Sequence, residues 1–413
     1  MLTVNSVSRY LGFALLAGAA GIATVSCGDD DDDNGGTGGT SGKAGASSNG
    51  GHAGTPATGG TTASAGSPEP GSGAAPTEMG GAGALASAEV LRTDLISDET
   101  GAGGAGGASG DPNLINAWGI SFNPDPAAAT NFWVSAADSG VSTVYAPDGT
   151  PAPLVVTIPA ATAGETGSPT GQVFNTTTGF EADKFIFASE DGLITGWQTG
   201  TVAVVRADLS ADAASYKGLT LVEGADPILV AANFYAGTLD VFDATYAVVD
   251  APMFVDPDPI AGYAPFNVQA LGDKVYVTYA KQNADMDEEV AGAGLGYVDA
   301  FDPDGSFVSR LIANGGALNA PWGLALAPAG FAPAPGALIV GNFGDGMIHA
   351  YDVDTGQITA EFADTDGNPL VIDGLWALAF GAKKTAEDLS ERLYFTAGPD
   401  EETHGVFGVL TAP

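Results

Sequence analysis

Trp118-Gly119-Ile120-Ser121-Phe122 and Trp322-Gly323-Leu324-Ala325-Leu326 are two copies of one pattern, and they decide the reading of the chain. Gly171-Gln172-Val173-Phe174, Gly218-Leu219-Thr220-Leu221, Phe266-Asn267-Val268-Gln269 and Leu375-Trp376-Ala377-Leu378 repeat it, roughly fifty residues apart, which is blade length for a propeller. A second apolar run, a Gly-containing turn and a third short strand follow each copy. Examples are Phe132-Trp133-Val134 to Val144-Tyr145, Phe185-Ile186-Phe187 to Gly196-Trp197, and Leu338-Ile339-Val340 to Ala350-Tyr351. Asp148-Gly149 and Asp304-Gly305 then supply hairpin turns in which glycine takes the positive φ. In the fourth copy a longer loop, Lys281 to Gly294, separates Val275-Tyr276-Val277 from Tyr297-Val298. Six such units predict an all-β fold, a six-bladed β-propeller of four-stranded blades over residues 89–413, with little chain left for helices. A seven-bladed propeller and a pair of β-sandwiches are the competing arrangements.

Upstream of the repeats the composition changes. Residues 27–88 hold the acidic run Asp29 to Asp33 and then Gly/Thr/Ser/Ala/Pro sequence with no Phe, Trp or Tyr. A segment so poor in apolar surface does not offset its conformational entropy, so a disordered tether is predicted. Asp30, Asp32, Asn34 and Gly35 begin like an EF-hand loop, but its twelfth position is Ser41 where a bidentate Glu is needed. Before the tether, Arg9 precedes an apolar run from Leu11 to Val25, short for a membrane span and suited to a signal peptide over residues 1–26. The run ends at Thr24-Val25-Ser26-Cys27, which resembles a bacterial lipobox, although Thr24 departs from its usual Leu. The expectation is lipidation at Cys27, attachment to a membrane through that lipid, and a cell-envelope location, periplasmic or surface-exposed. An ordinary signal peptide cut nearby is the alternative. Cys27 is the one cysteine, so no internal disulfide forms and burial must hold the fold.

Charge narrows the partners. The 413 residues carry 50 acids against 12 Lys and Arg, a formal net charge of −38. Such a surface repels phosphate, and without a basic stripe nucleic acid is excluded as a partner.

A set of ordered blocks carries a family resemblance. Asp111-Pro-Asn-Leu-Ile-Asn-Ala-Trp-Gly119, Pro169-Thr-Gly-Gln-Val-Phe-Asn175, Glu190-Asp-Gly-Leu-Ile-Thr-Gly-Trp197 and Tyr216-Lys-Gly-Leu219 come first. Ala264-Pro-Phe-Asn-Val-Gln269, Asn319-Ala-Pro-Trp-Gly323, Gly341-Asn-Phe-Gly-Asp-Gly346 and Asp373-Gly-Leu-Trp376 follow, with Ala232-Asn-Phe234 between the two groups. Together they resemble an uncharacterised family of exported bacterial proteins with an NHL-like propeller pattern, some of whose members end in a PEP-CTERM sorting tail. The resemblance implies a fold and a compartment, and no catalytic residue.

The residues themselves offer little chemistry. The globular part contains no G-x-S-x-G elbow, no H-E-x-x-H and no cysteine. Of three histidines, His52 lies in the tether, His349 alternates along a strand and His404 sits in a hairpin loop. The Gly101 to Gly110 stretch has no following Gly-Lys-Ser/Thr and reads as an insertion. Metal binding is the stronger case. Propellers of the gluconolactonase and calcium-dependent phosphotriesterase type hold a divalent cation in the central channel on Glu, Asn and Asp side chains. The comparable positions here are Glu190, Asn233, Asn267, Asn342 and Asp373, and Ca²⁺ is the ion that oxygen donors of this kind favour. Against it, Trp118 and Trp322 stand at strand starts where those enzymes show oxygen donors, and Asn and Asp commonly cap turns. Trp118, Trp322 and Trp376 are candidates for stacking on a flat ligand, or for packing between blades. Asp285-Met286-Asp287-Glu288-Glu289 reads as a solvated acidic loop. Two functions are compatible with this set: a non-catalytic module that binds a protein, glycan or small molecule, and a metal-dependent hydrolase such as a lactonase or esterase.

Overall fold

Runs such as Leu338–Asn342 and Phe185–Ser189 are buried at every position, while Phe307–Ile312 and Val204–Asp208 present part of their length to water. That contrast is what a propeller demands: strands near the axis are covered on both faces by neighbouring blades, and outer strands are not. The computed structural model describes residues 85–99, 110–385 and 387–413. The expected signal peptide, Cys27 and nearly all of the expected tether lie outside them.

The chain begins its pairing with β1 (Ala86–Glu89) and β2 (Leu91–Ser97). Blade 1 is β3 (Ala117–Phe122), β4 (Phe132–Ala136), β5 (Val141–Tyr145) and β6 (Pro151–Thr157). Blade 2 is β7 (Pro169–Phe174), β8 (Phe185–Ser189), β9 (Leu193–Trp197) and β10 (Val204–Asp208). Blade 3 has three strands, β11 (Tyr216–Val222), β12 (Ile228–Asn233) and β13 (Thr238–Phe242). Blade 4 is β14 (Tyr263–Leu271), β15 (Lys274–Lys281), β16 (Tyr297–Phe301) and β17 (Phe307–Ile312). Blade 5 is β18 (Pro321–Leu326), β19 (Leu338–Asn342), β20 (Ile348–Tyr351) and β21 (Ile358–Ala363), and blade 6 holds β22 (Leu375–Phe380), β23 (Leu393–Ala397) and β24 (Val406–Thr411). Helix is limited to two single 3₁₀ turns among the described residues, Phe180–Ala182 and Ser210–Asp212. The protein is an all-β six-bladed propeller.

Each sequence copy lies in the expected first, second or third strand, but the blades are not six identical four-stranded units. Blade 3 stops at three because Val248 makes only a bridge to Phe242, and Val249 donates to the Val241 carbonyl, before the chain departs. Pro252, Pro257 and Pro259 follow, and proline cannot donate to a ladder. The N-terminal strands make the other departure. β2 pairs antiparallel with β24 and supplies the outer strand of blade 6, while β1 adds a parallel fifth strand to β21 of blade 5. First and last parts of the chain therefore share a sheet, which closes the ring. Pairing opens at Ala86, inside the last residues read as tether.

Between blades the packing is apolar. Tyr276, Val298, Leu324, Leu338, Val340 and Tyr351 form one cluster between blades 4 and 5, and Ile186, Ile194, Leu219, Leu229 and Phe242 another between blades 2 and 3. Each fully buried large side chain contributes about 1.5–3 kcal/mol relative to exposure.

Candidate functional site at the propeller axis

In all six blades, the pairing of first and second strands slips at the same place. The shifts fall between Ala117 and Ile120, Pro169 and Gln172, Tyr216 and Gly218, Pro265 and Asn267, Pro321 and Gly323, and Leu375 and Leu378. A bulge re-aims a side chain away from the regular alternation. The residues inside these bulges include Trp118, Thr170, Lys217, Phe266, Trp322 and Trp376, one from each blade.

Small residues after the bulge let the first strands approach one another. A Cβ on Gly119 would stand 2.5 Å from the Thr170 carbonyl oxygen, and one on Gly171 would stand 2.4 Å from the Leu219 nitrogen. On Gly218 it would meet Asn267 Oδ1 at 2.3 Å, and on Gly323 the Trp376 oxygen at 2.7 Å. Side chains stitch the same seams. Thr170 donates to the Tyr216 carbonyl at 2.7 Å, Asn267 Nδ2 to the Trp322 carbonyl at 2.7 Å, and Thr396 to the Trp118 carbonyl.

The re-aimed aromatics meet. Trp118 stacks on Trp376 with centroids 3.5 Å apart, and Trp322 stands edge-on to both at 5.8 and 5.7 Å. Phe343 covers Trp376 at 4.0 Å, and Phe266 approaches it at 5.9 Å. Trp118 and Trp322 are each 2% exposed and Trp376 is fully buried, so the three form a plug across the axis. Stacking of a ligand on any of them would require the plug to open.

Lys217 breaks the aromatic pattern. It is 1% exposed, with its ammonium 5.3 Å from the Trp118 ring and 6.0 Å from Phe234. Its Nζ is ion-paired with Glu190 and lies 3.9 Å from Glu288. Glu190 also accepts from Ser168 at 2.7 Å. Burial alone would lower the Lys217 pKa, but Glu190, Glu288 and Glu289 outweigh it and hold the ammonium protonated. Carboxyls outnumber that one charge. Burial pushes Glu288 up to about 7 against the pull of Lys217, and burial also raises Glu289, whose Oε2 has no partner. Glu402 is pushed up to about 8 by burial, then by Glu289 and Glu190. Asn116 connects this cluster to the plug: its Nδ2 donates to Glu402 at 2.7 Å, and its Oδ1 accepts from Trp376 Nε1 at 3.0 Å. Glu402 is held by backbone strain, since Asp400, Glu401 and Glu402 have φ of 54°, 56° and 66°. Each such non-glycine conformation costs of order 1–2 kcal/mol.

Of the five proposed metal ligands, Glu190 joins this cluster, and the other four are engaged elsewhere. Asn233 accepts from the Ser215 and Ala236 amides and donates to Asp240; Asn267 is the seam stitch already described. Asn342 donates to the Ala317 carbonyl and to Asp345, and Asp373 accepts from the Asp400 amide. Among the described residues no group of three or more His, Cys, Asp or Glu side chains is placed to hold a metal ion. Asp285, Met286 and Glu288 are exposed, as expected, while Glu288 also comes within 3.9 Å of Lys217 and Glu289 is partly buried. Sequence reasoning passed over Lys217 and Glu402 as site residues. A signal for Lys217 existed: Lys217-Gly218 occupies the position of Trp118-Gly119 and Trp322-Gly323 in a strand whose seven residues are all buried.

Two uncharacterised proteins of Acanthamoeba polyphaga mimivirus, R648 and L690, are 31% and 33% identical to this chain over 319 residues each. The alignments span 73% of this chain and 76% and 81% of theirs. The chain belongs to their family. A third mimivirus protein, R640, is 32% identical over 198 residues, 46% of this chain and 36% of its own length. No family profile matches the sequence. Among solved structures, a Bacteroides thetaiotaomicron protein of unknown function has a TM-score of 0.45 at 14% identity, covering 78% of this chain and 76% of its own. A gluconolactonase from Xanthomonas campestris has 0.39 at 15% identity, covering 73% and 97%. Likeness at this level carries nothing about chemistry.

Proposed function

We propose that this protein is an exported propeller of the cell envelope, lipidated at Cys27 and held on a tether, that binds a ligand without transforming it. It retains the resemblance to exported bacterial propellers set out above. The ligand-binding end is that of Lys217, and the ligand is an organic ammonium. One observation carries this: Glu190, Glu288 and Glu289 gather around the Lys217 ammonium over an aromatic floor, with Glu402 behind them on Asn116. Glu288, Glu289 and Glu402, whose pKa values burial raises, exchange their protons for a cation, and rings beneath them favour one carried on carbon.

The test is titration calorimetry with 1,4-diaminobutane at pH 6.5, in buffers of different ionisation enthalpy. Saturable binding with net proton release, lost in Glu289→Gln, is the expected result. No saturable heat at any pH removes the ammonium reading. The hydrolase alternative is read in parallel by melting with excess chelator and with added Ca²⁺. A site occupied a hundredfold above its dissociation constant stabilises by about 2.7 kcal/mol. A Ca²⁺ shift abolished by Asp373→Ala and Asn267→Ala would favour a lactonase or esterase, and such substrates would then be assayed. Cys27→Ser releases the protein from the membrane fraction if the lipid is what holds it there.

A further inference from the structure

Beyond the plug, on the side away from Lys217, the later halves of the first strands surround a cavity of about 210 Å³. Strands of blades 1, 2, 4, 5 and 6 contribute to its wall. Leu271, Leu326, Leu378 and Phe380 make much of it apolar, and no charged side chain lines it. Gln172, Asn267 and Gln269 interrupt that surface with polar groups. Trp322 lines the cavity with its ring, and its indole N–H, closed off from the open space, has no acceptor. Gln269 lines it half-buried, and its carboxamide makes no hydrogen bond among the described residues. The neighbouring Gln172 is different: its amide is fully used by the Gly119 and Trp133 carbonyls at 2.6 and 2.8 Å. A buried donor without a partner is rare in a folded protein, because leaving it so costs the desolvation of the group.

We propose that this cavity is a second binding site, independent of the Lys217 end, for a small neutral molecule with an apolar body and one carbonyl, amide or hydroxyl oxygen. The size admits a single ring: the space equals roughly seven water molecules at about 30 Å³ each. The leucines and Phe380 take the apolar body. The oxygen accepts from the Gln269 amide, and the Gln269 carbonyl accepts from a ligand N–H where one is present. An anion is rejected, since the site offers it no counter-charge and the protein around it is strongly acidic.

Benzamide, benzoate and toluene serve as probes, read by ligand-observed NMR and by calorimetry on the full chain. Benzamide is expected to bind saturably, at about 1 mM or tighter. Benzoate should bind at least tenfold more weakly. Gln269→Leu should weaken benzamide about tenfold while leaving toluene unchanged. Leu326→Phe, which fills the space from its edge, should remove both ligands; a folded spectrum for each variant is checked by circular dichroism. Saturating 1,4-diaminobutane should change none of these values, which separates this site from the one at Lys217. Benzoate binding as well as benzamide, or Gln269→Leu binding benzamide like the unaltered protein, overturns the assignment. Absence of saturable benzamide binding does so outright.

Discussion

Lys217 is the residue on which the charged end of the axis depends, because it is the one cation set against Glu190, Glu288 and Glu289. Lys217→Met fits the space but leaves half-buried carboxylates without their partner, a change that costs about 1–3 kcal/mol. The loss should be large at pH 8 in urea denaturation and smaller at pH 5, where the carboxyls take up protons. Gly218, next along, is a matter of space instead of charge. Gly218→Ala drives a methyl into Asn267 and should cost about 1–3 kcal/mol by pushing blades 3 and 4 apart. Gly237→Ala, at φ +69° with nothing within 4 Å, is the control and should cost about 1 kcal/mol from conformation alone. Equal losses in the two variants would contradict the seam as described. This scale was the least legible beforehand. A carboxylate's role depends on which loop folds over which strand, and nothing in Glu401-Glu402 or Glu288-Glu289 announces that both reach Lys217.

The strands were legible in the sequence, and the way they close was not. Short unbroken apolar runs between Gly and Asp turns read as buried strands wherever they occur, so all six first strands could be placed from pattern alone. The bulge that turns Trp118, Trp322 and Trp376 inward leaves no such signal, since it adds a residue without changing composition. The pairing of β2 with β24 joins residues some three hundred positions apart, and local pattern cannot reach that far. Its end is pinned by His404, whose Nδ1 lies 2.8 Å from Asp98 Oδ2, while the Gly405 amide donates to the same carboxylate. The hydrogen bond to Asp98 raises the His404 pKa. A histidine raised in the folded state stabilises fully below its unfolded pKa, about 6.5, and that contribution fades as pH climbs through the folded value. Asp98→Asn should therefore lower the melting temperature at pH 6 more than at pH 9. Equal shifts at the two pH values would deny the ion pair that role.

For the whole molecule, the raised carboxyls set the slope between pH 5 and 9, while the lowered aspartates, Asp388 among them at about 2, act at more acid pH and in the opposite sense. Glu402 and Glu288 bind protons more tightly folded than unfolded, as does Asp299, raised to about 7 chiefly by burial. An acid whose folded pKa is raised makes the unfolding free energy fall as pH rises, here between the ordinary carboxylate range near 4.3 and about 8. Urea midpoints from pH 5 to 9 should decline across that window, and Glu402→Gln should flatten the upper part of the slope. A midpoint that rises with pH would mean these carboxyls are ionised throughout. Ring closure has a mechanical consequence as well. Any pull delivered from residues before Ala86 enters the propeller at β1, whose four register pairs with β21 bear it before β2 is loaded. β1 then works as a sacrificial link: it can let go and add slack while β2 still fastens blade 6. A force-extension trace on protein held by its N-terminal side should show a small early step ahead of the main rupture, and removal of residues 85–89 should erase the first step alone.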